Sequence, residues 1–364
     1  MVRVSGPSIQ TDPRLGSILL HWYDQHARDL PWRRTRDPYS IWISEIMLQQ
    51  TRVEVVQERW LRFLARFPNV SALARAAEEE VVAEWAGLGY YRRARSIHRA
   101  ACMIEEQHAG VFPTGRGDVL DLPGIGAYTA GAITSIAFGQ QEALVDGNVE
   151  RVFARLFQLD EVSSSASLKR RSWELARALV PKRRPGDWNQ ALMELGATVC
   201  TPSAPDCGTC PVREICACDG IQTALTFPRP KARPEIIRLQ VECLLICRGE
   251  EVLLVRRALG GRMGGLYELP TREIEWDSAA PPGIFASEWS AGLGRARGKA
   301  LARVSHTITR HRIQATIRRG IGPRQSNPGV WAGPEEWSRL GLTGMAAKAL
   351  SKSGCEIVTL PAGN

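Results

Sequence analysis

Apolar residues recur at helical spacing through the first half of the chain. From about Leu15 to Leu195 they fall three or four residues apart, interrupted by turn signals such as Phe67–Asn69, Phe112–Gly115 and Asp146–Asn148. This pattern predicts an all-helical region.

A proline-rich stretch follows this region. Pro228, Pro230 and Pro234 stand among basic residues, and prolines at this spacing cannot continue a helix. We therefore predict an extended linker over 221–234 that separates two domains.

The second half of the chain shows short β-rich runs with partial alternation. A helix near Pro334–Leu340 is predicted after three such runs, at Arg238–Ile246, Glu251–Arg256 and Thr307–Ile317. The predicted fold is therefore multidomain, with an all-α domain over 1–220 and an α+β domain over 235–364.

The composition is that of a globular protein. Of the 364 residues, 44% are hydrophobic and 23% are charged, which excludes disorder as the main state and favours two or three domains. Met1–Thr11 lacks the features of a signal peptide, so we expect a cytoplasmic protein. The longest uncharged stretch, Leu122–Gln141, contains a proline and four glycines, and a hairpin with a buried helix is expected there rather than a membrane span.

Positive charge is concentrated in the second half. Residues 1–220 hold 26 basic and 26 acidic residues, whereas 221–364 hold 21 basic and 12 acidic ones. A window without acidic residues, between Glu288 and Glu335, contains Arg295, Arg297, Lys299, Arg303, Arg310, Arg312, Arg318, Arg319 and Arg324. Such a tract suits a polyanion, and the alternative is a solvated basic face.

Four cysteines stand within seventeen residues. Cys200, Cys207, Cys210 and Cys216 have the spacing C-x6-C-x2-C-x5-C, and four thiolates suit a 4Fe-4S cluster or tetrahedral zinc. Zinc ribbons usually present two C-x2-C knuckles and this segment has one, which favours the cluster. Disulfides are not expected in a cytosolic chain. The cluster could fix a loop that presents Arg213 to a phosphate.

Two glycines flank the start of the uncharged helix. Gly124 and Gly126 would let backbone N–H groups point outward together, which suits a phosphate oxygen. The longer pattern L-P-G-x-G-x-x-T-A around them is similar to a helix-hairpin-helix DNA-binding element.

Glu45 falls on an apolar helical stripe. Ile41 precedes it by four residues and Leu48 follows it by three. Desolvation there would raise the carboxyl pKa and make a proton donor available near neutral pH. The alternative is a buried glutamate paired with an arginine.

Asp146 lies between the apolar residues Ala143–Val145 and a predicted helix over Val149–Leu156. Viewed alone it is an N-cap, and the helix end also favours its ionised form. One carboxyl group kept as an acid and another held as an anion is the arrangement needed to break a glycosidic bond.

The motifs SEIMLQQT, AGLGYYRRAR, LPGIGAYTAGA and VDGNVER, with the four-cysteine loop, resemble the helix-hairpin-helix DNA glycosylase superfamily, and specifically MutY-type adenine DNA glycosylases. The resemblance spans nearly the whole chain. It implies removal of adenine mispaired with 8-oxoguanine or guanine in double-stranded DNA, a helical domain with a 4Fe-4S cluster, and a C-terminal domain similar to the Nudix hydrolase MutT. We further expect a bacterial-type, nucleoid-associated protein that acts as a monomer, since a glycosylase that holds a duplex between two domains needs no second copy.

The resemblance assigns roles to individual residues. Glu45 would protonate adenine N7, and Asp146 would stabilise or capture the oxocarbenium ion. Asn148 would orient the carboxylates and water, and Tyr128 would hydrogen-bond beside Glu45. Gln50 and Tyr90 would wedge into the base stack when the adenine is flipped out. Together with Gly124 and Gly126 of the hairpin and Arg213 of the cysteine loop, they are the residues expected to contact DNA.

Position 128 separates related enzymes. Endonuclease III carries a lysine there, whose amine attacks the sugar and leads to strand cleavage. Tyr128 therefore implies a glycosylase without lyase activity. Thymine-mismatch glycosylases can also carry tyrosine at this position, but they lack the C-terminal domain.

The C-terminal domain departs from its relatives in two places. Leu266–Pro270 matches the L-W/Y-E-F/L-P run near the start of a MutT fold, but Thr271–Ala280 lacks the metal-binding R-E-x-x-E-E box, so a recognition domain without hydrolase activity is expected. The lesion-reading motif H-x-F-S-H is replaced by His306, Thr307, Ile308, Thr309 and Arg310.

That second change alters the expected lesion reading. Thr309 keeps a hydroxyl, whereas Ile308 loses an aromatic ring and Arg310 brings a permanent charge. We expect reading of 8-oxoguanine to be weaker, more salt-dependent or retuned. Two alternatives to the leading function follow: a glycosylase with altered opposing-base specificity, and a non-catalytic mismatch-binding protein.

Overall fold

The computed structural model describes residues 9–232, 235–258, 263–279, 283–285, 295–321 and 329–354, except for the side chains of 338 and 339. The chain divides into two compact units, with the boundary between Ala232 and Arg233. Among the described residues, no helix combines the length and apolar character needed to cross a membrane.

The first unit is helical, as predicted. Its helices are α1 (Leu15–His26), α2 (Pro38–Met47), α3 (Val53–Arg66), α4 (Val70–Arg75), α5 (Glu78–Glu84), α6 (Arg92–His108), α7 (Arg116–Asp121), α8 (Ala127–Phe138), α9 (Gly147–Leu156), α10 (Ala166–Leu179), α11 (Pro185–Thr198) and α12 (Gly220–Thr226). Short 3₁₀ turns lie at Pro31–Arg34 and Arg213–Ile215.

Side-chain caps fix where several helices begin. Asp37, Asn69, Asp146 and Ser165 each accept a backbone N–H from the first turn of the helix that follows, which satisfies a donor that the helix itself leaves open. A single apolar core buries the largest side chains of this unit, among them Trp42, Phe63, Trp85, Phe153 and Trp188.

The uncharged stretch forms the predicted hairpin and buried helix. α7 ends at Asp121, and α8 begins at Ala127 after a tight turn. Gly124 in that turn has a φ of +84°, and a Cβ there would lie 2.6 Å from Cβ of Ser96. Both the backbone conformation and the close approach to α6 therefore require glycine.

The predicted linker over 221–234 begins too early. Residues 220–226 form α12, and Ala224 on it is buried. The helix ends at Thr226, because Pro228 cannot continue it and disfavours helical angles at Phe227, which is extended.

The second unit is α+β, which confirms the predicted fold class. Its strands are β1 (Ile237–Leu245), β2 (Cys247–Arg248), β3 (Glu251–Arg256), β4 (Tyr267–Glu268), β5 (Thr271–Trp276), β6 (Arg295–Ile308), β7 (His311–Ile321) and β8 (Gly329–Ala332), and its helices are α13 (Pro334–Leu340) and α14 (Gly344–Lys352).

Two sheets organise this unit. The first has the order β5-β1-β7-β6, in which β1 and β7 are parallel and the other pairs are antiparallel. The second has the order β2-β3-β4, with β8 also paired to β3. The core of the unit includes Leu239, Val304, Ile313, Trp337 and Leu350.

The predicted run Thr307–Ile317 is wrong as a single strand. It spans the end of β6, a two-residue turn and most of β7, because Ile308 pairs with His311 and leaves Thr309 and Arg310 as the hairpin loop. Neither residue is a usual turn former, so the sequence gives little sign of the turn.

Candidate active site

Glu45 lies on α2 with 5% of its surface exposed. The hydroxyl of Tyr128, on α8, donates a 2.6 Å hydrogen bond to Glu45 Oε2 and lies 3.4 Å from Sδ of Met193. In the part of the chain that the structure describes, no arginine forms an ion pair with Glu45. The alternative of an arginine-paired structural glutamate is therefore not the arrangement observed.

Asp146 caps the N-terminus of α9. Its Oδ1 accepts the backbone N–H of Val149 at 2.7 Å, and its Oδ2 accepts Nδ2 of Asn148 at 2.8 Å. The Asp146 side chain therefore combines the capping role expected from the sequence with a hydrogen bond from Asn148, the residue that the resemblance expects to orient it.

One cavity brings the predicted catalytic residues together. It has a volume of about 610 Å³, and its lining includes Glu45, Tyr128, Asp146 and Asn148, with Gln50 at the same cavity. Its size falls in the range of small-molecule sites, and a nucleobase with its sugar is of that class.

The two carboxyl groups have different surroundings. Burial raises the pKa of Glu45 to about 7, although the hydrogen bond from Tyr128 lowers it. Burial also raises the pKa of Asp146, against the hydrogen bonds from Val149 and Asn148. The N-terminus of α9 favours the ionised form, as expected from the sequence, but burial of the carboxyl group acts in the opposite direction. Asp146 nevertheless accepts two hydrogen bonds where Glu45 accepts one, so its anion is the better supported.

Sequence reasoning missed an ion cluster at the same cavity. The fully buried Glu194 accepts Nε of Arg28 at 2.7 Å and Nη2 of Arg33 at 2.7 Å. Burial raises the pKa of Glu194, but these hydrogen bonds outweigh it and lower the pKa to about 2. The partners are more than 160 residues apart, so no local pattern could have revealed them.

Arg151 was also missed. Its Nη2 donates to Oδ1 of Asn148 at 2.8 Å and to the carbonyl of Gly196 at 2.7 Å, and its Nε donates to the carbonyl of Cys200 at 2.8 Å. Arg151 therefore joins the side chain beside Asp146 to the first cysteine of the four-cysteine loop.

The close packing behind Asn148 depends on a glycine of α11. A Cβ at Gly196 would lie 2.6 Å from Cβ of Asn148, a separation that real Cβ atoms do not adopt. Any side chain at Gly196 would push α11 away from the start of α9 and displace Asn148.

The predicted DNA-contacting residues of the first unit lie at its surface. Tyr90 is 62% exposed, and Gln50 is exposed and lines the catalytic cavity. Gly124 lies in the hairpin turn and Gly126 caps α8. Arg213 is exposed at the start of a 3₁₀ turn inside the cysteine loop.

All four predicted cluster ligands line one cavity: Cys200, Cys207, Cys210 and Cys216. Cys218, which the spacing leaves as a spare residue, lines it too. Among the described residues, no group of three side chains is arranged to hold a single metal ion. The fit to an iron-sulfur cluster rests on the donor set and on the shared cavity.

Arg155 anchors the cysteine loop and was not predicted. This arginine is 3% exposed. Its guanidinium donates to the carbonyls of Thr201 at 2.7 Å, Pro202 at 3.0 Å and Phe227 at 3.1 Å, and lies 3.4 Å from Sγ of Cys200. The loop is therefore held from α9 by a charged donor that no spacing rule identifies.

The predicted lesion-reading residues lie on the β6–β7 hairpin of the second unit. His306 and Ile308 are at the end of β6, and Thr309 and Arg310 form the loop. Thr309 has a φ of +50°, a conformation that is strained for a β-branched residue. Arg310 is exposed, and within the described residues its side chain has no hydrogen-bonding or ionic partner.

The basic tract is largely an exposed part of the same hairpin. Arg318 is an exception, because it forms an ion pair with Glu242 at 2.8 Å. Arg324 lies outside the described residues. The exposed members are Arg295, Arg297, Lys299, Arg303, Arg310, Arg312 and Arg319.

Comparisons with known families match both halves of the chain. The HhH-GPD superfamily of base excision DNA repair proteins matches residues 43–178, and the NUDIX domain family matches residues 242–352.

Curated relatives match across both halves. A human adenine DNA glycosylase is 36% identical over 350 residues, covering 80% of this chain and 64% of that protein. The rat protein of the same name is 35% identical, covering 80% and 67%. The Arabidopsis thaliana protein is 38% identical, covering 70% and 46%. The chain thus spans two thirds or less of the length of these relatives.

Among solved structures, a thermostable thymine-DNA glycosylase superposes with a TM-score of 0.51 and 32% identity. The superposition covers 55% of this chain and 93% of that one.

Proposed function

This chain belongs to the adenine DNA glycosylase family of helix-hairpin-helix base excision repair proteins, and from that premise we propose that it removes adenine mispaired with 8-oxoguanine or guanine in double-stranded DNA. The family matches confirm the resemblance seen in the sequence motifs. One observation carries the proposal: two carboxyl groups with different hydrogen-bond partners, one with a pKa of about 7, share a nucleobase-sized cavity.

The chemistry follows from those two groups. Protonated Glu45 donates its proton to N7 of adenine, which makes the base a better leaving group. The C1′–N9 bond then breaks, its electron pair leaves with the base, and the sugar becomes an oxocarbenium ion. The carboxylate of Asp146 stabilises that cation. Water then adds to C1′, and its proton passes to the Glu45 carboxylate, which restores the acid for the next turnover. Asn148 orients Asp146 through the hydrogen bond between their side chains.

Tyr128 supports a monofunctional reaction. Its phenol is occupied by Glu45, and the burial that raises its pKa keeps it protonated. A phenol offers no amine to form a Schiff base with the sugar. The expected product is therefore an intact strand that carries an abasic site.

A 4Fe-4S cluster is the group proposed for the cysteine loop. Cys200, Cys207, Cys210 and Cys216 would hold it, and its role here would be to order the loop that presents Arg213 to the DNA backbone. Arg155 holds the same loop through its carbonyls.

The NUDIX-like domain is proposed as a recognition domain without hydrolase activity. The acidic residues in place of a metal-binding box have structural partners: Glu273 accepts the backbone N–H groups of Ile284 and Phe285, and Glu275 accepts the amide of Gln240. The exposed basic hairpin supports contact with phosphates, and its loop is the proposed reader of the opposing base.

Two other functions are weighed against this proposal. The 32% identity to a thymine-DNA glycosylase favours thymine as a second candidate base, but that structure covers only 55% of this chain. A non-catalytic mismatch binder would have no use for an acid with a pKa near 7 in a base-sized cavity. We propose that the protein acts as a monomer, because one chain supplies the whole cavity.

Single-turnover excision from matched duplexes tests the proposal. The target base would be adenine opposite 8-oxoguanine, guanine or cytosine, and thymine opposite guanine. We expect fast loss of adenine opposite 8-oxoguanine, and strand cleavage only after added base or heat. Loss of thymine alone would replace the proposed substrate, and no base loss on any duplex would favour a binder.

The catalytic assignment has its own test. Glu45→Gln and Asp146→Asn should each reduce the excision rate by ~10² or more while duplex affinity is retained. Normal turnover by either variant would refute the assigned roles.

A further inference from the structure

Arg93, the second residue of α6, is half-buried and has only neutral partners in the part of the chain described. Its Nη1 donates to the carbonyls of Ile46 at 2.6 Å and Gln49 at 2.6 Å, and its Nη2 donates to the carbonyl of Leu88 at 2.9 Å. Further contacts reach Met47 O at 3.1 Å, Thr51 Oγ1 at 3.2 Å and Gly89 O at 3.3 Å.

These acceptors belong to two separate segments. One is the C-terminus of α2 with the residues after it, where helix carbonyls lack partners of their own. The other is the segment 85–90, which precedes α6 and contains the carbonyl groups of Leu88 and Gly89. Arg93 also lies over aromatic rings of the second segment, 5.4 Å from the centre of Trp85 and 5.6 Å from that of Tyr90.

Each segment contains one exposed residue in a strained conformation. Gln50 has a φ of +58° and Tyr90 a φ of +48°. Left-handed angles are uncommon for residues other than glycine, and they persist only where the surroundings impose them. Both residues line a cavity of about 420 Å³, and Gln50 also lines the catalytic cavity.

We propose that Arg93 is a positioning residue for base extrusion: its guanidinium holds Gln50 and Tyr90 together in the conformation that enters the base stack. This inference rests on the proposed function. The same guanidinium binds the carbonyl of the residue that follows Glu45, so the helix that carries the acid and the two extruding side chains share one anchor.

The geometry requires arginine rather than a cation in general. A planar guanidinium with several N–H donors reaches six acceptors in two segments, whereas a lysine ammonium has three donors and no flat face to stack on Trp85 and Tyr90. A lysine at position 93 should therefore keep the charge and lose part of the anchor.

The experiment compares Arg93→Met and Arg93→Lys with Arg171→Met. Arg171 is a nearly buried arginine whose ion pair with Glu161 at 2.7 Å lies far along the chain from both segments, so its loss controls for destabilisation. Extrusion is measured by the fluorescence of 2-aminopurine placed opposite 8-oxoguanine, in a Glu45→Gln background that leaves the base attached. Excision is measured in single turnover for adenine opposite 8-oxoguanine and for adenine opposite an abasic site, where no pair must be broken.

We expect Arg93→Met to lose most of the fluorescence increase and to slow excision of paired adenine by ~10 to 10². Excision of unpaired adenine should slow by only a few-fold, Arg93→Lys should be intermediate, and Arg171→Met should match wild type on both readouts.

Three results are decisive against the inference. Wild-type fluorescence from Arg93→Met, or from Arg93→Lys if the first variant fails to fold, overturns it. If Arg93→Met slows excision of paired and unpaired adenine equally, Arg93 has only a structural role. The same conclusion follows if Arg171→Met loses the fluorescence increase and slows excision of paired adenine as Arg93→Met does. If the wild-type protein excises adenine from neither duplex, the proposed function fails instead.

Discussion

The phenol of Tyr128 donates a 2.6 Å hydrogen bond to Oε2 of Glu45, a residue 83 positions earlier in the chain. The bond orients the acid inside the cavity, and it also stabilises the ionised carboxylate. Burial acts in the opposite direction and is the larger effect, so the pKa of Glu45 is raised to about 7. Tyr128 therefore limits how far burial raises that pKa.

Removal of the Tyr128 hydroxyl should change the pH dependence of excision. Only protonated Glu45 can donate a proton, so the wild-type rate should fall as the pH rises through about 7. In Tyr128→Phe the ionised carboxylate loses its donor, the pKa rises further, and the alkaline limb should move to higher pH. Single-turnover rates between pH 5 and 9 measure this, and an unshifted limb would contradict it.

Glu45→Gln should stabilise the fold at alkaline pH. The folded pKa of about 7 exceeds the reference value of 4.5, so the fold disfavours the ionised form, and wild-type stability is lost as the pH rises between these values. The variant does not titrate. Relative to the wild type, its free energy of unfolding should be only slightly higher at pH 4. At pH 8 the difference should reach about 3 kcal/mol, because each unit of pKa difference between the folded and unfolded states corresponds to 1.36 kcal/mol. Urea titrations at the two pH values measure the difference.

Glu194→Gln should have the opposite effect on stability to Glu45→Gln. The pKa of Glu194 is lowered to about 2 by Arg28 and Arg33 despite its burial, so here the ionised form is favoured. The stabilisation is present above the reference pKa of 4.5 and is lost as the pH falls toward 2. This variant should be destabilised at pH 7. If Glu45→Gln and Glu194→Gln change the free energy of unfolding in the same direction, the assigned charges of the two glutamates are wrong.

Arg151→Met should slow the reaction without weakening DNA binding. The guanidinium fixes Oδ1 of Asn148, whose amide in turn donates to Asp146. A displaced amide would weaken stabilisation of the sugar cation, and we expect a ~10- to 10²-fold lower single-turnover rate. Arg177→Met, which removes an arginine stacked on Trp173 of α10, is the control and should react at the wild-type rate.

Arg310→His should change the preference for the opposing base. An arginine pairs well with the two acceptors O6 and N7 of guanine, whereas N7 of 8-oxoguanine carries a hydrogen and repels a second donor. Arg310 should therefore lower the ratio of the excision rate opposite 8-oxoguanine to the rate opposite guanine. Arg310→His should raise this ratio by ~10-fold, which corresponds to the loss of one discriminating contact worth ~1.4 kcal/mol. The ratio of excision rates on the two duplexes is the readout, and an unchanged ratio would exclude Arg310 from base reading.

Arg303→Gln should weaken binding through phosphates alone. Arg303 is an exposed member of the basic tract on β6. Its loss should lower duplex affinity equally for matched and mismatched DNA and reduce the salt dependence of binding by about one charge. Affinity titrations at several salt concentrations measure the slope, and an effect confined to one duplex would indicate base contact instead.

The sequence by itself determined the elements and most of the chemistry-bearing residues. Helical periodicity marked the first unit, the glycine hairpin marked the turn before α8, and an apolar stripe around Glu45 predicted a buried carboxyl group. Each of these signals is local, because it depends on neighbours within one or two helical turns.

Only the tertiary structure decided how those residues act together. Tyr128 meets Glu45 across 83 residues, and Glu194 meets Arg28 across 166. Arg93 joins two loops that no spacing relates. The charge of Asp146 also depends on burial by other helices, which the sequence around it does not encode. Pairings of this kind follow from which helix faces pack together, so they exist only once the core has formed.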